Sequence, residues 1–178
     1  MMFIRKADIT EIKGITELYG KVLTEEENGR AATGWIRGVY PTEETVKEGI
    51  SSGDMFVAEE NGKITAAARI NRIPAPVYNK ACWKYSTDDE NKVMVLHTLA
   101  VSPDCAGRGI GSKFVKFYED YAFSNGCNFL RMDTNEKNTN ARRLYKKLGY
   151  READILPCTF NGIKGVRLVC LEKLINKR

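Results

Sequence analysis

Residues 93–112 constrain the fold most, because a strand, a glycine-rich loop and a helix follow one another there without a gap. Residues 93–101 form the most strand-like run in the chain, and the loop after it contains Gly107, Gly109 and Gly111. Glycines let a ligand approach the backbone closely, and the first amides of a helix are unpaired donors at the positive end of its dipole. The segment therefore predicts a phosphate or pyrophosphate site. The structural alternative is a tight turn between strand and helix.

Two other nucleotide-binding motifs fit this loop less well. The Walker motif requires Gly-Lys followed by Ser or Thr, whereas Gly111 is followed by Ser112 and then Lys113. The dinucleotide fingerprint requires G-x-G-x-x-G in an opening βαβ unit, whereas this loop reads G-x-G-x-G and lies beyond the middle of the chain. Neither motif is therefore predicted.

Turn and capping signals divide the rest of the chain into helices and strands. Helices are predicted to begin at Asp8 or Thr10, at Thr42, at Gly109 and at Asn138, and the first should end in the polar stretch 24–30. Strands are predicted at Phe3–Lys6, Met55–Glu59, Ile64–Ile70, Val93–Val101, Phe129–Thr134, and at about Tyr150–Pro157 and Val166–Glu172. This alternation indicates an α/β or α+β fold with a mixed sheet, and 178 residues suit one domain, 1–178.

Positive charge is concentrated in the second part of the chain. The net charge of +5 divides into −2 up to residue 100 and +7 beyond it, which predicts an anionic ligand in the C-terminal half. Nucleic acid is disfavoured, because no run of about five or six basic residues occurs and aromatic residues are not interleaved with basic ones.

Composition argues against secretion, membrane insertion and metal binding. No segment approaches the roughly 20 apolar residues that a membrane span needs, and the N-terminus is charged where a signal peptide is apolar. The five cysteines include no C-x-x-C pair and there is one histidine, so a Cys/His zinc site is not expected. We therefore expect a cytoplasmic protein with reduced cysteines and no metal.

Two motifs in this sequence resemble those of one enzyme family. The run Val101-Ser-Pro-Asp-Cys-Ala-Gly-Arg-Gly-Ile-Gly is similar to the acetyl-CoA-binding motif R/Q-x-x-G-x-G/A of the GNAT family of N-acetyltransferases. Further along, Asn138-x-x-Ala-x-x-Leu-Tyr-x-x-x-Gly-Tyr150 resembles the second motif of that family, N-x-x-A-x-x-L-Y-x-x-x-G-F/Y. The resemblance covers the whole chain and is clearest over residues 93–150. Ala106 stands where the first motif has Arg or Gln, and Cys105 replaces a bulky neighbour.

The resemblance implies a fold, a cofactor and a reaction. The fold would be a mixed, mostly antiparallel central sheet flanked by helices, and the reaction would move an acetyl group from acetyl-CoA to a primary amine of a small molecule by direct transfer in a ternary complex. Acceptors on proteins or peptides, and a silent acyl-CoA-binding regulatory module, remain as alternatives. Acceptor identity and the choice between monomer and homodimer stay open.

The resemblance also assigns the cofactor site. The strand that ends at Val101 would carry a bulge and diverge from its neighbour, and its free backbone groups would pair with the pantetheine arm. The amides from Gly107 to Ser112 would hold the pyrophosphate. The implied cofactor-binding residues are Leu99, Ala100, Val101, Gly107, Arg108, Gly109, Ile110, Gly111, Ser112, Asn138, Ala141, Leu144 and Tyr145.

Two residues resemble the catalytic acid and base. Tyr145 matches the general acid of the family, and a phenol with a pKa of about 10 stays protonated at neutral pH; alternatively, it belongs to an apolar helix stripe. His97, the one histidine, could deprotonate an ammonium ion, since its unperturbed pKa is about 6.5; alternatively, it is satisfied within the sheet. Glu59 and Asp133 are substitutes for the base. Cys105 as a covalent nucleophile is disfavoured, because no base adjoins it in the sequence.

Four aromatic residues are candidates for the acceptor side. Trp35 and Tyr40 lie in one irregular region, and Tyr78 and Trp83 lie in another. Together they could surround an ammonium group, and ordinary packing is the alternative.

Overall fold

Residues 2–176 are described by the computed structural model, and within them the chain forms four α-helices and one seven-stranded sheet. The elements are β1 (Met2–Lys6), α1 (Ile12–Glu27), α2 (Glu43–Ser51), β2 (Met55–Glu60), β3 (Lys63–Asn71), β4 (Val93–Val101), α3 (Ile110–Ser124), β5 (Phe129–Asn135), α4 (Thr139–Lys147), β6 (Arg151–Phe160) and β7 (Ile163–Leu174). No helix within these residues has the length and apolarity that crossing a bilayer requires.

The strand order is β1-β2-β3-β4-β5-β7-β6. Every neighbouring pair is antiparallel except β4 and β5, which run parallel because α3 connects them. The sheet is therefore mixed and mostly antiparallel, which confirms the predicted fold. β4 lies at its centre, with the glycine-rich loop at its C-terminal end.

Local sequence signals account for several element boundaries. Asp8 caps a short 3₁₀ turn that leads into α1, and Thr42 and Thr45 form a reciprocal capping box at the start of α2. Asn61 and Gly62, with φ of 52° and 72°, make the hairpin turn between β2 and β3.

Three elements extend beyond their predicted bounds: α1, β6 and β7. α1 continues to Glu27 through the polar stretch that was expected to end it, because acidic side chains there hold the following loop. The Glu26 carboxylate accepts hydrogen bonds from the amides of Thr33 and Gly34 at 2.7 and 3.0 Å. β6 and β7 are longer than predicted. β6 is an edge strand, so it tolerates Pro157, which the sequence analysis treated as its end.

Helices cover both faces of the sheet and create its cores. On one face α3 packs through Phe114, Val115 and Tyr118, all 0% exposed. On the other face α1 and α2 pack through Ile15 and Val46, also 0% exposed. The centre of the sheet is thereby fixed from both sides, so the end of β4 projects from a rigid base.

Candidate active site

β4 contains a bulge close to its C-terminal end. Ala67 pairs with Ala100 and Arg69 pairs with His97, so β4 has one more residue than β3 over this interval. Thr98 lies in the bulge with φ of 55°, a left-handed conformation that β-branched residues rarely adopt. The bulge implied by the family resemblance is present.

β4 and β5 separate beyond the bulge and leave a cavity. The two strands pair only from Val93–Leu96 to Phe129–Met132, and after these residues no ladder joins them. The cavity that opens there has a volume of about 600 Å³. It is bounded by β3, β4, β5, α2, α4 and the loop before α2. The expected divergence of the two strands is therefore also present.

The glycine loop at the end of β4 has the geometry of an anion cradle. Gly107 and Gly109 have φ of 76° and 74°, and a Cβ atom added to either would meet no atom within 4 Å. Gly109 begins the 15-residue helix α3 without a side-chain cap. In the described chain, the amides of Gly107, Gly109, Ile110, Gly111 and Ser112 donate to no backbone carbonyl. These free donors at a helix N-terminus fit the pyrophosphate of a coenzyme.

Gly111 and Arg108 have other roles than the motif suggests. A Cβ atom on Gly111 would lie 3.3 Å from Leu144 Cδ2, so this glycine permits close packing between α3 and α4. The Arg108 guanidinium turns away from the main cavity and bonds Glu60 at 2.5 Å, so a cofactor contact from Arg108 would come from its backbone.

The remaining predicted cofactor residues divide between cavity and core. Leu99, Asn138, Ala141 and Tyr145 line the cavity. The side chains of Ala100, Val101 and Leu144 pack into the core instead, so Ala100 and Val101 offer only backbone groups. Asn138 also caps α4, because its side-chain oxygen accepts from the Ala141 amide at 3.2 Å.

Tyr145 is 7% exposed and lies on the cavity wall. Its ring packs edge-to-face on Tyr150 with centroids 6.2 Å apart, which fixes its orientation. Burial and, secondarily, the charge of Asp133 raise the pKa of Tyr145, so the phenol is protonated at neutral pH. The ring therefore packs in the core while the hydroxyl is available in the cavity.

His97 also lines the cavity, but its basicity differs from the expectation. Burial, reinforced by the positive charge of Arg69, lowers the pKa of His97 to about 4. Asn71 donates to Asp54 at 2.7 Å and accepts from the Ile73 amide at 2.9 Å, so its oxygen faces His97. Nε2 of His97, 2.9 Å from that oxygen, must therefore donate the hydrogen bond. His97 is a neutral, fixed imidazole rather than a base with the ordinary pKa near 6.5.

Asp133, named as a substitute base, occupies the cavity from β5. Burial raises its pKa to about 6, although the Tyr78 hydroxyl donates to Oδ2 at 2.7 Å and opposes this shift. A carboxylate with a pKa in this range is ionised at neutral pH and retains useful basicity. It is the better-placed group for accepting a proton from an amine.

Glu59, the other substitute base, lies outside the site. It pairs with Arg5 of the edge strand β1 at 2.6 Å and is not part of the cavity lining. The side-chain alternation of β2 turns Glu59 away from the opening between β4 and β5.

The four aromatic candidates do not form one box. Trp35 and Tyr40 line the cavity as an edge-to-face pair with centroids 6.3 Å apart. Tyr78 is 2% exposed and contributes only its hydroxyl, through Asp133. Trp83 packs on Tyr78 and covers the Arg131 guanidinium at 4.3 Å. The grouping of all four around one ammonium was therefore wrong.

Several cavity residues were absent from the sequence predictions. Those with polar side chains that the argument below uses are Glu48, Arg69, Asn71 and Thr98. No motif identifies them, because cross-strand register and the position of α2 bring them together. Cys105 lies elsewhere, in a second cavity beside Lys21 and Arg108.

This chain is similar to a known protein family and to several known proteins. Residues 21–150 match the model of the Acetyltransferase (GNAT) family. An uncharacterized N-acetyltransferase of Methanocaldococcus jannaschii is 39% identical over 61 residues, 34% of this chain and 39% of the relative's length. An uncharacterized N-acetyltransferase of Bacillus subtilis is 25% identical over 85% of this chain and 91% of the relative. The bovine thialysine N-epsilon-acetyltransferase is 35% identical over 42% of this chain and 44% of its own length.

Solved structures show the same fold. A GNAT-family acetyltransferase from Streptococcus agalactiae superposes with a TM-score of 0.82 at 25% identity, over 99% of this chain and 96% of that one. An acetyltransferase structure from Salmonella typhimurium, solved with its cofactor acetyl-CoA, superposes with a TM-score of 0.70 at 20% identity, over 99% and 95%.

Proposed function

Because the chain belongs to the GNAT acetyltransferase family, whose acyl donor is acetyl-CoA, we propose that it transfers an acetyl group directly to a primary amine of a small molecule. One observation carries this proposal: the cavity that opens where β4 and β5 diverge is lined by both Tyr145 and Asp133, and the glycine loop follows at the end of β4. A proton donor and a proton acceptor thus share one cavity, and the anion site lies on the loop that continues the cavity-lining strand.

The chain's own groups would hold the cofactor in three places. The amides from Gly107 to Ser112 would bind the pyrophosphate, and the helix dipole of α3 favours its charge. Backbone groups of Leu99 and Val101, left without partners on β5, would pair with the pantetheine arm. Ala141 supplies a small side chain on the facing helix, so the arm could pass between α4 and β4.

When bound, acetyl-CoA supplies an activated thioester. Asp133 would accept a proton at its carboxylate from the incoming ammonium ion, because a free amine is required for attack. A backbone amide at the bulge would donate to the carbonyl oxygen as that oxygen gains negative charge. As the C–N bond forms and the C–S bond breaks, Tyr145 would donate its hydroxyl proton to the departing sulfur, and the proton that the new amide nitrogen loses would restore the Tyr145 hydroxyl through solvent. Neutral His97 would orient the amine.

The position of the thiols supports the proposal of direct transfer. None of the cysteines in residues 2–176 lines the main cavity, so no thiol is placed to carry the acetyl group. Initial-rate patterns with both substrates varied should intersect. Parallel lines, or exchange of label between acetyl-CoA and CoA without amine, would contradict direct transfer.

Release of the CoA thiol with a panel of amines tests the activity itself. Small amines should support release, and Tyr145→Phe should lower kcat by about 10²–10⁴ while leaving acetyl-CoA affinity intact. Tyr150→Phe is the matched control, because Tyr150 is equally buried beside Tyr145 but lies outside the cavity. Turnover only with peptides would indicate a protein acceptor, and binding of acetyl-CoA without turnover would indicate the regulatory module.

A further inference from the structure

The acceptor end of the cavity carries the opposite charge to the protein as a whole. The chain has a net charge of +5, yet Arg69 is the one Lys or Arg side chain among the described residues that line the cavity. Two carboxylates, Glu48 on α2 and Asp133 on β5, share that lining. The excess of basic residues therefore lies outside the part of the cavity where the acceptor would bind.

The Arg69 guanidinium is already paired with a carboxylate outside the cavity lining. Its Nε and Nη2 atoms form a bidentate pair with the Asp54 carboxylate at 2.9 and 3.0 Å, and Asp54 is 6% exposed. Bidentate pairs of this kind are strong and geometrically fixed. Only Nη1 is left, and it lies 4.0 Å from Glu48. Asp54 offsets part of the Arg69 charge, although that charge still reaches His97 and Tyr40. Because Glu48 and Asp133 face one Arg69 in the lining, the cavity keeps an excess of negative charge.

These charges act on the same wall of the cavity. Burial raises the pKa of Tyr40 to about 12; the negative charges of Asp133 and, by a smaller amount, Glu48 add to the increase, while the Thr98 hydrogen bond and the charge of Arg69 oppose it. Tyr40 therefore lies within electrostatic reach of both carboxylates. With Trp35 it also provides an aromatic surface, and aromatic faces attract cations.

From the charges that line the cavity, we propose that the acceptor is an amine with a second cationic group. Its reacting nitrogen would lie at Asp133, and its second charge would lie at Glu48 beside Tyr40. The inference rests on the proposed acetyltransferase function and names its substrate class. One ammonium would satisfy Asp133 and leave Glu48 at the rim without a full partner. An acceptor with a carboxylate would have to displace Glu48 from Arg69 and would face Asp133.

Three amines of matched length test the proposal: 1,4-diaminobutane, butylamine and 4-aminobutanoate. We expect kcat/KM for the diamine to exceed that for butylamine by about tenfold or more, and that for 4-aminobutanoate to be lowest. Glu48→Gln should reduce the diamine-to-butylamine ratio about tenfold. Glu44→Gln, in the preceding turn of α2 and outside the cavity, should leave the ratio unchanged.

The outcomes separate this inference from the proposed function. Equal use of diamine and butylamine, a preference for 4-aminobutanoate, or an unchanged ratio in Glu48→Gln would overturn the inference, while acetylation of any amine would keep the enzyme. If none of the three is acetylated, thermal shifts with CoA present decide. A larger shift for the diamine, lost in Glu48→Gln, supports the inference, and equal shifts refute it.

Discussion

At the scale of single residues, Asp133 combines a position in the cavity with an energetic cost. Its pKa is raised from 3.8 to about 6 by burial, so the folded state binds its proton more tightly than the unfolded state. The favourable contribution is therefore complete below pH 3.8 and is lost as the pH rises through 6. At neutral pH the ionised carboxylate opposes folding.

Replacing the Asp133 carboxylate should stabilise the folded protein while lowering its activity. Asp133→Asn retains an oxygen for the Tyr78 hydroxyl and removes the charge, so we expect about 1–3 kcal/mol of added stability at pH 7.5. The gain should shrink towards pH 4. Denaturant unfolding of both proteins at the two pH values measures it. A gain that is the same at both pH values would show that the charge is not responsible.

The pH dependence of kcat/KM should distinguish Asp133 from His97. If Asp133 is the base, the rate rises with pH through an apparent pKa near 6, and Asp133→Asn removes this limb. His97, with a pKa of about 4, is neutral throughout, so His97→Gln should keep the limb. Amines of different pKa provide the control, because a limb that belongs to the substrate moves with it. Loss of the limb in His97→Gln alone would reverse the assignment.

At the scale of secondary-structure elements, the bulge in β4 is contacted by the loop before α2, which contains Tyr40. Three non-glycine residues in the described chain have positive φ: Asn61 and Asn161 in hairpin turns, and the β-branched Thr98. A residue held in this region costs about 1–3 kcal/mol unless its surroundings impose it. The Tyr40 hydroxyl contacts the Thr98 hydroxyl and thereby holds the bulge in place.

Tyr40→Phe should therefore weaken catalysis through the bulge. Loss of a hydrogen bond worth about 0.5–1.5 kcal/mol predicts a fall in kcat of up to about tenfold. Tyr19→Phe is the matched control, because the Tyr19 hydroxyl is buried nearby without a hydrogen-bond partner. Steady-state kinetics and melting temperatures of both variants measure the effect. Identical kcat values in the two variants would remove this role from Tyr40.

The glycine loop allows binding and packing to be separated. Gly109→Ala places a Cβ atom at φ of 74°, which strains the backbone by about 1–2 kcal/mol, and in open space where the cofactor would lie, so acetyl-CoA affinity should fall by more than this strain accounts for. Gly111→Ala instead brings Cβ to 3.3 Å from Leu144 Cδ2, so it should lower the melting temperature. Calorimetric titration with acetyl-CoA and thermal unfolding of both variants check this contrast. A Gly111→Ala protein with unchanged stability and lost affinity would contradict it.

At the scale of the whole molecule, the sequence predicted the features that depend on local signals, namely the helix ends, the turns and the strands. Caps at Thr42 and Asn138, the Asn61-Gly62 turn and the run 93–101 placed most elements and the glycine loop correctly. The acceptor site was less predictable, because it depends on contacts between distant segments. Glu59 faces away because of strand alternation, and the pKa values of His97 and Asp133 depend on burial that only the assembled sheet creates.

Charge is separated between the two ends of the active cleft. The basic excess beyond residue 100 includes the exposed side chains Arg143, Lys146 and Lys147 of α4, the helix that packs on Gly111 through Leu144, whereas the acceptor end is negative. Anionic phosphates should therefore be attracted to one end only.

Raising ionic strength from about 0.05 to 0.5 M should weaken acetyl-CoA binding several-fold, because exposed charges are screened. S-acetylpantetheine lacks the phosphates and should bind weakly with little salt dependence. Equal salt dependence of the two Kd values would mean that the basic surface does not contribute to cofactor binding.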